Sequence, residues 1–389
     1  GRRGNGNLTI ENGADVHTLQ FEVARDGTGT ATIRGQDSTV VVSPENGRYL
    51  GEEFRDSAGF ARIGNKAGGS GRLEILDGAR FELANGQTHN VETYEAFIDA
   101  GREENSRGEI LVSGENSEML IESKRDSDSA GFSSPGFEFG DNGVGIAKIS
   151  NGAQLRVNSI NGDAFGGVGD SGRGELIVES NSEVIVDGIS FFSIGGNGGQ
   201  GDLRIESGSR VILDRGSSEE GFPSINIGDG EGSQGTVEVR GADSELRVFG
   251  GENSEIVVGD SGQGELTIEN GGRAAGEIVF VGREEKGEGN LSIEGEGSIL
   301  QAQQDHGGMV LIGLTFSDGG FIDGGNGTVT VGNGATLRAG RATGDGVRDV
   351  VVGPDDTLTV EDGGTLYGDV QIIGGGTFNL ADGGTHNGE

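Results

Sequence analysis

One short pattern recurs along this chain, and it leaves few folds open. In GELTIENGG (264–272), Leu266 and Ile268 alternate with Glu265, Thr267 and Glu269. That period of two belongs to a strand with one face buried. Gly264 reads as the opening of a turn. Asn270, Gly271 and Gly272 end the strand, because Asn and Gly accept positive φ at little steric cost. Thirteen copies are legible, opening at Gly6, Gly29, Gly71, Gly108, Gly145, Gly174, Gly201, Gly235, Gly264, Gly289, Gly327, Thr357 and Gly376. The last two are short and read as frayed or capping turns.

Each copy contains two strand pieces. The first has apolar residues two and four places after the opening glycine, as at Leu203 and Ile205. The second follows a short turn, with apolar pairs such as Val211/Leu213, Val184/Val186, Leu155/Val157 and Phe81/Leu83. Three copies are one residue longer, placing Val40/Val42, Met119/Ile121 and Leu246/Val248 one step later. The extra residue must be taken up as a bulge in the turn, or the second strand would exchange its faces. A third strand precedes each opening glycine and ends in an apolar residue and Gly. Examples are Ile225/Ile227-Gly228, Ile256/Val258-Gly259, Val279/Val281-Gly282, Val310/Ile312-Gly313, Val350/Val352-Gly353, Ala61/Ile63-Gly64 and Phe137/Phe139-Gly140.

Three short strands per repeat cannot bury an apolar face alone, but stacked on identical neighbours they enclose a continuous core. The expectation is an all-β fold: a right-handed parallel β-helix (β-solenoid) with about three strands per coil, forming a single body over residues 1–389. The hand follows the general preference of parallel crossovers. About 12 coils at ~4.8 Å each would make a rod roughly 55–60 Å long. Leu203, Ile205, Val211, Leu213, Ile227, Val258, Leu266, Ile268, Val281 and Leu291 are expected to point inward. The opening glycines at 201, 235, 264, 289 and 327 stand 34, 29, 25 and 38 residues apart, so length varies in corner loops. The largest insertions, around 43–60, 84–107, 122–136 and 301–326, carry Tyr49, Phe54, Phe60, Tyr94, Phe97, Phe132, Phe316 and Phe321. Folding back over the coil is the expected role of these rings.

Composition supports this reading. Glycine supplies 81 of 389 residues and proline 4, so the chain is neither collagen-like nor polyproline, and the alternating apolar residues argue against disorder. Acidic residues outnumber basic ones by 64 to 28, a formal charge of −36. So negative a surface disfavours DNA, RNA and anionic lipid. Cysteine is absent, which excludes a disulfide scaffold, a zinc finger and a thiol enzyme. The run MVLIGLTF (309–316) is too short for a spanning helix. The start, GRRGNGNLTI, lacks the apolar stretch of a signal peptide, so a mature or trimmed fragment is expected.

Repeats of the form G-x-L-x-I-x-x-G-(A/G)-x-L, preceded by an I-G-(D/N) strand, resemble the passenger domains of type V secretion autotransporters. The resemblance covers nearly the whole chain. It implies a β-helix exposed at the bacterial surface or released, tethered through a C-terminal outer-membrane barrel that lies outside these residues. The resemblance does not specify activity; the function expected here is non-catalytic: adhesion to a host-cell or matrix component, or association with another copy on a neighbouring cell. No nucleic-acid partner and no membrane insertion by this segment are expected. Passengers of this class also include proteases and esterases, but no catalytic motif of theirs carries over. The alternative is a β-helix enzyme, lyase or hydrolase, acting on polysaccharide.

Motifs that suggest chemistry read better as architecture. GDSG occurs at 169–172 and 259–262, as in the nucleophile loop of chymotrypsin-like proteases. The same register elsewhere reads GDNG (140–143), GGNG (195–198) and GDGE (228–231), which marks it as a corner between strands. Only His17, His89, His306 and His386 could act as a base, and none sits in a matching register. RDSDSAGF (125–132) lacks the full ligand set of a calcium loop, and GGNGGQGDL (195–203) lacks the spacing of a calcium-binding nonapeptide. Lys66, Lys124, Lys148 and Lys286 are scattered rather than clustered for an acidic sugar. No catalytic, cofactor-binding or metal-ligating residue is therefore assigned.

Overall fold

A computed structural model describes residues 4–43, 59–85, 96–123, 134–215, 222–250, 253–302, 308–317, 320–340 and 349–388. Among these residues every regular element is a β-strand. The chain divides into two compact units, Gly1–Phe192 with Leu213–Gly221, and Ser193–Ile212 with Phe222–Glu389.

In the first unit, strands Asn5–Ile10, Thr28–Arg34, Ser70–Leu76, Arg107–Ser113, Val144–Ser150 and Arg173–Val178 pair in parallel, each with its equivalent one repeat on. A second ladder joins Asp15–Thr18, Thr39–Val42, Arg80–Asn85, Glu118–Ser123 and the start of Gln154–Val168. A third joins Gln20–Val23, Phe60–Ile63, Phe97–Ala100, Gly136–Phe139 and the end of Gln154–Val168. The strand Gln154–Val168 rounds the corner unbroken and so belongs to both.

The second unit repeats the plan. Its first ladder runs Gln200–Glu206, Gln234–Arg240, Gln263–Glu269, Glu288–Glu294, Asn326–Val331, Thr357–Val360 and Thr377–Leu380. Its second runs Glu245–Phe249, Arg273–Gly276, Ile299–Ala302, Thr336–Ala339, Thr365–Tyr367 and Thr385–Asn387. Its third runs Ser224–Ile227, Glu255–Val258, Ile278–Val281, Met309–Ile312, Val350–Val352 and Val370–Ile372. Both units are parallel β-helices with three strands per coil.

The alternation of each strand places its apolar residues inside. All ten residues expected to point inward are buried, Leu291 at 2% exposure and the others at 0%. The copy at 357 is an ordinary coil, with Leu358, Val360 and Leu366 buried. The copy at 376 pairs in register, yet Leu380 remains 49% exposed. The long turns behave as their length requires. Gly35 and Asp37, Gly114 and Asn116, and Gly241 and Asp243 take positive φ around one extra residue, and the flanking strands keep their register. Gly295 and Gly297 make a fourth such turn.

Gly264 does not open a turn, as its place in the repeat suggests, but is the buried second residue of strand Gln263–Glu269. A Cβ there would fall inside the van der Waals envelope of Gly259 N and Ile227 O. Gly259 itself has φ +72°, and its own Cβ would strike the Glu288 carbonyl of the next coil. The two glycines thus permit backbone to cross backbone at a corner where no side chain fits.

A second corner is held by serine. Ser38 Oγ accepts the Gly13 N–H of the preceding coil at 3.1 Å, and Ser117 accepts that of Gly78 at 2.9 Å. Ser182, Ser244 and Ser298 do the same for Gly152, Gly208 and Gly271 at 3.1, 3.0 and 2.9 Å. All five serines are fully buried. In urea denaturation, Gly264→Ala is expected to destabilise the fold by about 3 kcal/mol through forced backbone displacement. Ser244→Ala should cost only about 1 kcal/mol, the worth of one buried hydrogen bond. Equal midpoints for Gly264→Ala and the parent would refute the corner account.

Candidate functional site

The outer face of the third ladder differs between the two units. In the second unit it begins polar, at Ser224, Asn226 and Glu255, and then turns apolar: Val257, Ile278, Phe280, Leu311 and Val351 form a cluster with Leu314. Ile278–Val281, Met309–Ile312 and Val350–Val352 read as unbroken apolar runs because both their faces are covered. The insertion after Ile312 turns back over them as an antiparallel hairpin, Leu314–Ser317 with Gly320–Asp323. Phe316 lies edge-on to Phe280 at 5.6 Å and 5.5 Å from Phe321. The folding-back expected of Phe316 and Phe321 therefore occurs, although Phe316 remains 47% exposed.

In the first unit the same face is charged. Register aligns Glu22, Arg62, Asp99 and Glu138 in one column, followed by Gly167. Beside it, each residue after a positive-φ corner glycine forms a second column: Asn65, Arg102, Asp141 and Asp170. Arg62 and Arg102 both face Asp99, with Nε to Oδ2 distances of 3.5 and 3.6 Å. Burial dominates this group. It lowers the Arg62 guanidinium and raises the Asp99 carboxyl to about 6, despite the two arginines. The ion pair is therefore weak evidence of stabilisation.

One coil on, Arg102 offsets only part of the negative charge. Glu138, Asp141 and Asp170 each offer a carboxylate oxygen within 4.8 Å of the others. Desolvation first, then the charges of Asp141, Asp170 and Asp99, push Glu138 up to about 8. Asp141 is also raised, by burial and then by Asp170. The all-oxygen donors of this set are the kind that hold a hard divalent cation. The cluster was not recognised in the sequence. Its signal is the G-D-x-G corner in consecutive coils at 140 and 169, which stacks Asp141 on Asp170.

Flanking the charged columns is a row of rings. Phe60 and Phe97 are aligned first residues of third-ladder strands rather than loop residues. Phe97 stacks on Phe165 at 6.3 Å across the gap left by Gly136, and Phe165 stacks on Phe191 at 6.2 Å. Arg62 covers the Phe60 ring at 4.0 Å. Stacking these faces on one another holds the wall together, while Phe191 at the end of the row stays 38% exposed.

Both GDSG segments are corners, with Gly169 and Gly259 each at φ +72°. Asp260 accepts the Arg283 Nε–H at 2.6 Å, and Ser171 Oγ donates to Asp170 Oδ2 at 3.2 Å. His17 Nε2 is 3.0 Å from Asp15 Oδ2, and His386 Nε2 is 2.9 Å from the Gly368 carbonyl. GGNGGQGDL is a corner leading into strand Gln200–Glu206. RDSDSAGF, Tyr49, Phe54, Tyr94, Phe132, His89 and His306 lie outside the described residues.

Neither a protein-family model nor a curated protein matches the chain. Among solved structures it is similar to the crystal structure of a TibC-catalysed hyper-glycosylated TibA fragment. That likeness spans 99% of this chain and 100% of the other, at 13% identity and a TM-score of 0.24. At so low a score it adds nothing to the fold, which rests on the ladders themselves.

The carboxylate cluster makes stability depend on pH. Glu138 binds its proton more tightly in the folded chain than at its ordinary 4.5, so folding is favoured in acid. Stability should decline as pH rises from about 4.5 through about 8, with Asp99 contributing in the same direction up to about 6. Melting temperatures from pH 5 to 8.5 should show this slope, and Glu138→Gln should flatten its upper part. An unchanged slope in that variant would remove Glu138 as the cause.

Proposed function

We propose that the chain, taken as one passenger over residues 1–389, is a non-catalytic β-helix displayed at a bacterial surface and used for adhesion or cell–cell association. The observation that carries this reading is the ladder construction itself. Strand backbone is spent on coil-to-coil bonds, so what faces outward along the ladders is an ordered array of side chains. In the second unit Gln200 donates to Gln234 at 3.2 Å, Gln234 to Gln263 at 3.3 Å, and Gln263 to Glu288 at 3.1 Å. A repeated polar surface of this kind suits recognition by many weak contacts in register. The repeat pattern's resemblance to autotransporter passengers supports surface exposure and attachment through a barrel. No described helix is long and apolar enough to cross a membrane. Partners on this reading are a host-cell or matrix component or a second copy, with no nucleic acid.

The polysaccharide-active alternative gains one observation, the raised carboxyls of Asp99 and Glu138. A glycosidase needs its two carboxyl groups on opposite sides of a bound sugar. Here Asp99 is buried and faced by Arg62 and Arg102, closed off from a sugar, which favours the non-catalytic reading. Display of the chain on a non-adherent bacterium is expected to cause settling of the culture or attachment to host cells or matrix. Cells that gain neither property, together with purified protein that cleaves a glycan, would overturn it.

A further inference from the structure

The second unit carries an arginine-lined groove on the outer face of its second ladder. Register stacks Arg247, Ala275, Gln301 and Arg338 in one column, and Glu245, Arg273 and Ile299 in the next. The methyl of Ala275 leaves a gap between the longer Arg247 and Gln301. The resulting groove, of about 530 Å³, is lined by Arg247, Phe249, Arg273, Ile299, Gln301 and Glu245 among others.

Its cations are unlike most others in the chain. Arg72, Arg80, Arg240 and Arg283 each lie beside a carboxylate. Arg247, Arg273 and Arg338 are exposed and, among the described residues, make no ion pair. Arg247 instead lies over the Phe249 ring at 4.2 Å, and Arg338 over Tyr367 at 5.3 Å. In a chain of formal charge −36, three unpaired guanidinium groups on neighbouring columns of one face form a local site for anions. Arg247 and Arg273 line the groove, and Arg338 stands one ladder step beyond Gln301, about 14 Å from Arg247. The spread calls for a linear ligand with several charges.

We propose that this groove binds an acidic oligosaccharide whose charges are sugar carboxylates. Guanidinium forks match carboxylates in two parallel hydrogen bonds. Gln301 and Glu245 supply polar partners for hydroxyls, and Ile299, Ala275 and Phe249 supply apolar surface for ring C–H groups. An acidic peptide fits less well. Extended peptides bind through backbone bonds at a sheet edge, whereas the strands flooring this groove are already paired on both sides. Nucleic acid carries a charge every ~3.4 Å per strand, a density that three arginines do not offset against the surrounding negative charge. The site deepens the adhesive reading and rests on it for its use at a cell surface.

Calorimetric titration of the purified 389-residue chain at low salt and neutral pH tests the proposal. The probes are a galacturonic acid oligomer, its carboxyl-reduced neutral counterpart and poly-L-glutamate. The uronate oligomer should bind, at least tenfold more tightly than either of the others. Arg247→Gln with Arg273→Gln should weaken it at least tenfold, and Ala275→Glu, which fills the groove with negative charge, should do the same. Arg72→Gln, on another ladder, should not, and circular dichroism should show all variants folded. Absence of uronate binding, equal binding of the neutral sugar or poly-L-glutamate, or indifference to the groove variants would each overturn the site. Displayed cells that adhere while the purified chain ignores uronate would reject the site and keep the adhesive reading. Uronate binding without adherence would do the reverse.

Discussion

Stacking in register is the constraint on which this structure depends. Each strand bonds to its own equivalent in the next coil, so every side chain sits above and below residues from the same place in the repeat. At the corner marked by Gly259 and Gly264, the stacking brings backbone against backbone and excludes any Cβ. At the opposite turn it sets Ser244 under Gly208, where one hydroxyl satisfies one orphan N–H. Inside, the same stacking makes continuous columns such as Val239, Ile268 and Ile293.

Outside, register decides the electrostatics. Where signs alternate along a column, charges are neutralised at close range: Arg72 lies against Glu109 at 3.0 Å, and Arg240 against Glu269. Where they do not, the surface stores an imbalance. Glu138, Asp141 and Asp170 concentrate negative charge, and Glu138 holds its proton more tightly in consequence. Arg247 and Arg338, separated by Ala275 and Gln301, are left with aromatic rings instead of carboxylates. A single fold thus makes a proton-holding cluster in one unit and an anion-seeking groove in the other.

The third ladder shows how far one face can be put to different use. In the first unit its outer positions are Arg62, Asp99 and Glu138, half-buried or buried and polar. In the second they are Val257, Phe280 and Leu311, closed over by a hairpin that contributes Leu314 and Phe321. Strand phase is the same in both. What differs is whether the chain supplies a cover, and an uncovered column must be polar to face water.

The sequence alone determined the strands, their phase and the closed repeat, because a period of two punctuated by Asn and Gly is a local property. Leu266 faces inward by its place after Gly264, whatever the rest of the chain does. The turn that absorbs an extra residue between Ile33 and Val40 was legible for the same reason. Tertiary structure decided which outward residues become neighbours, since partners such as Arg72 and Glu109 are brought together by coils of unequal length. It also decided that Gly264 is needed for a backbone crossing rather than a turn, because the atoms that exclude its Cβ belong to Ile227 and Gly259. Local pattern carries conformation, but close approach and charge balance are properties of the stack.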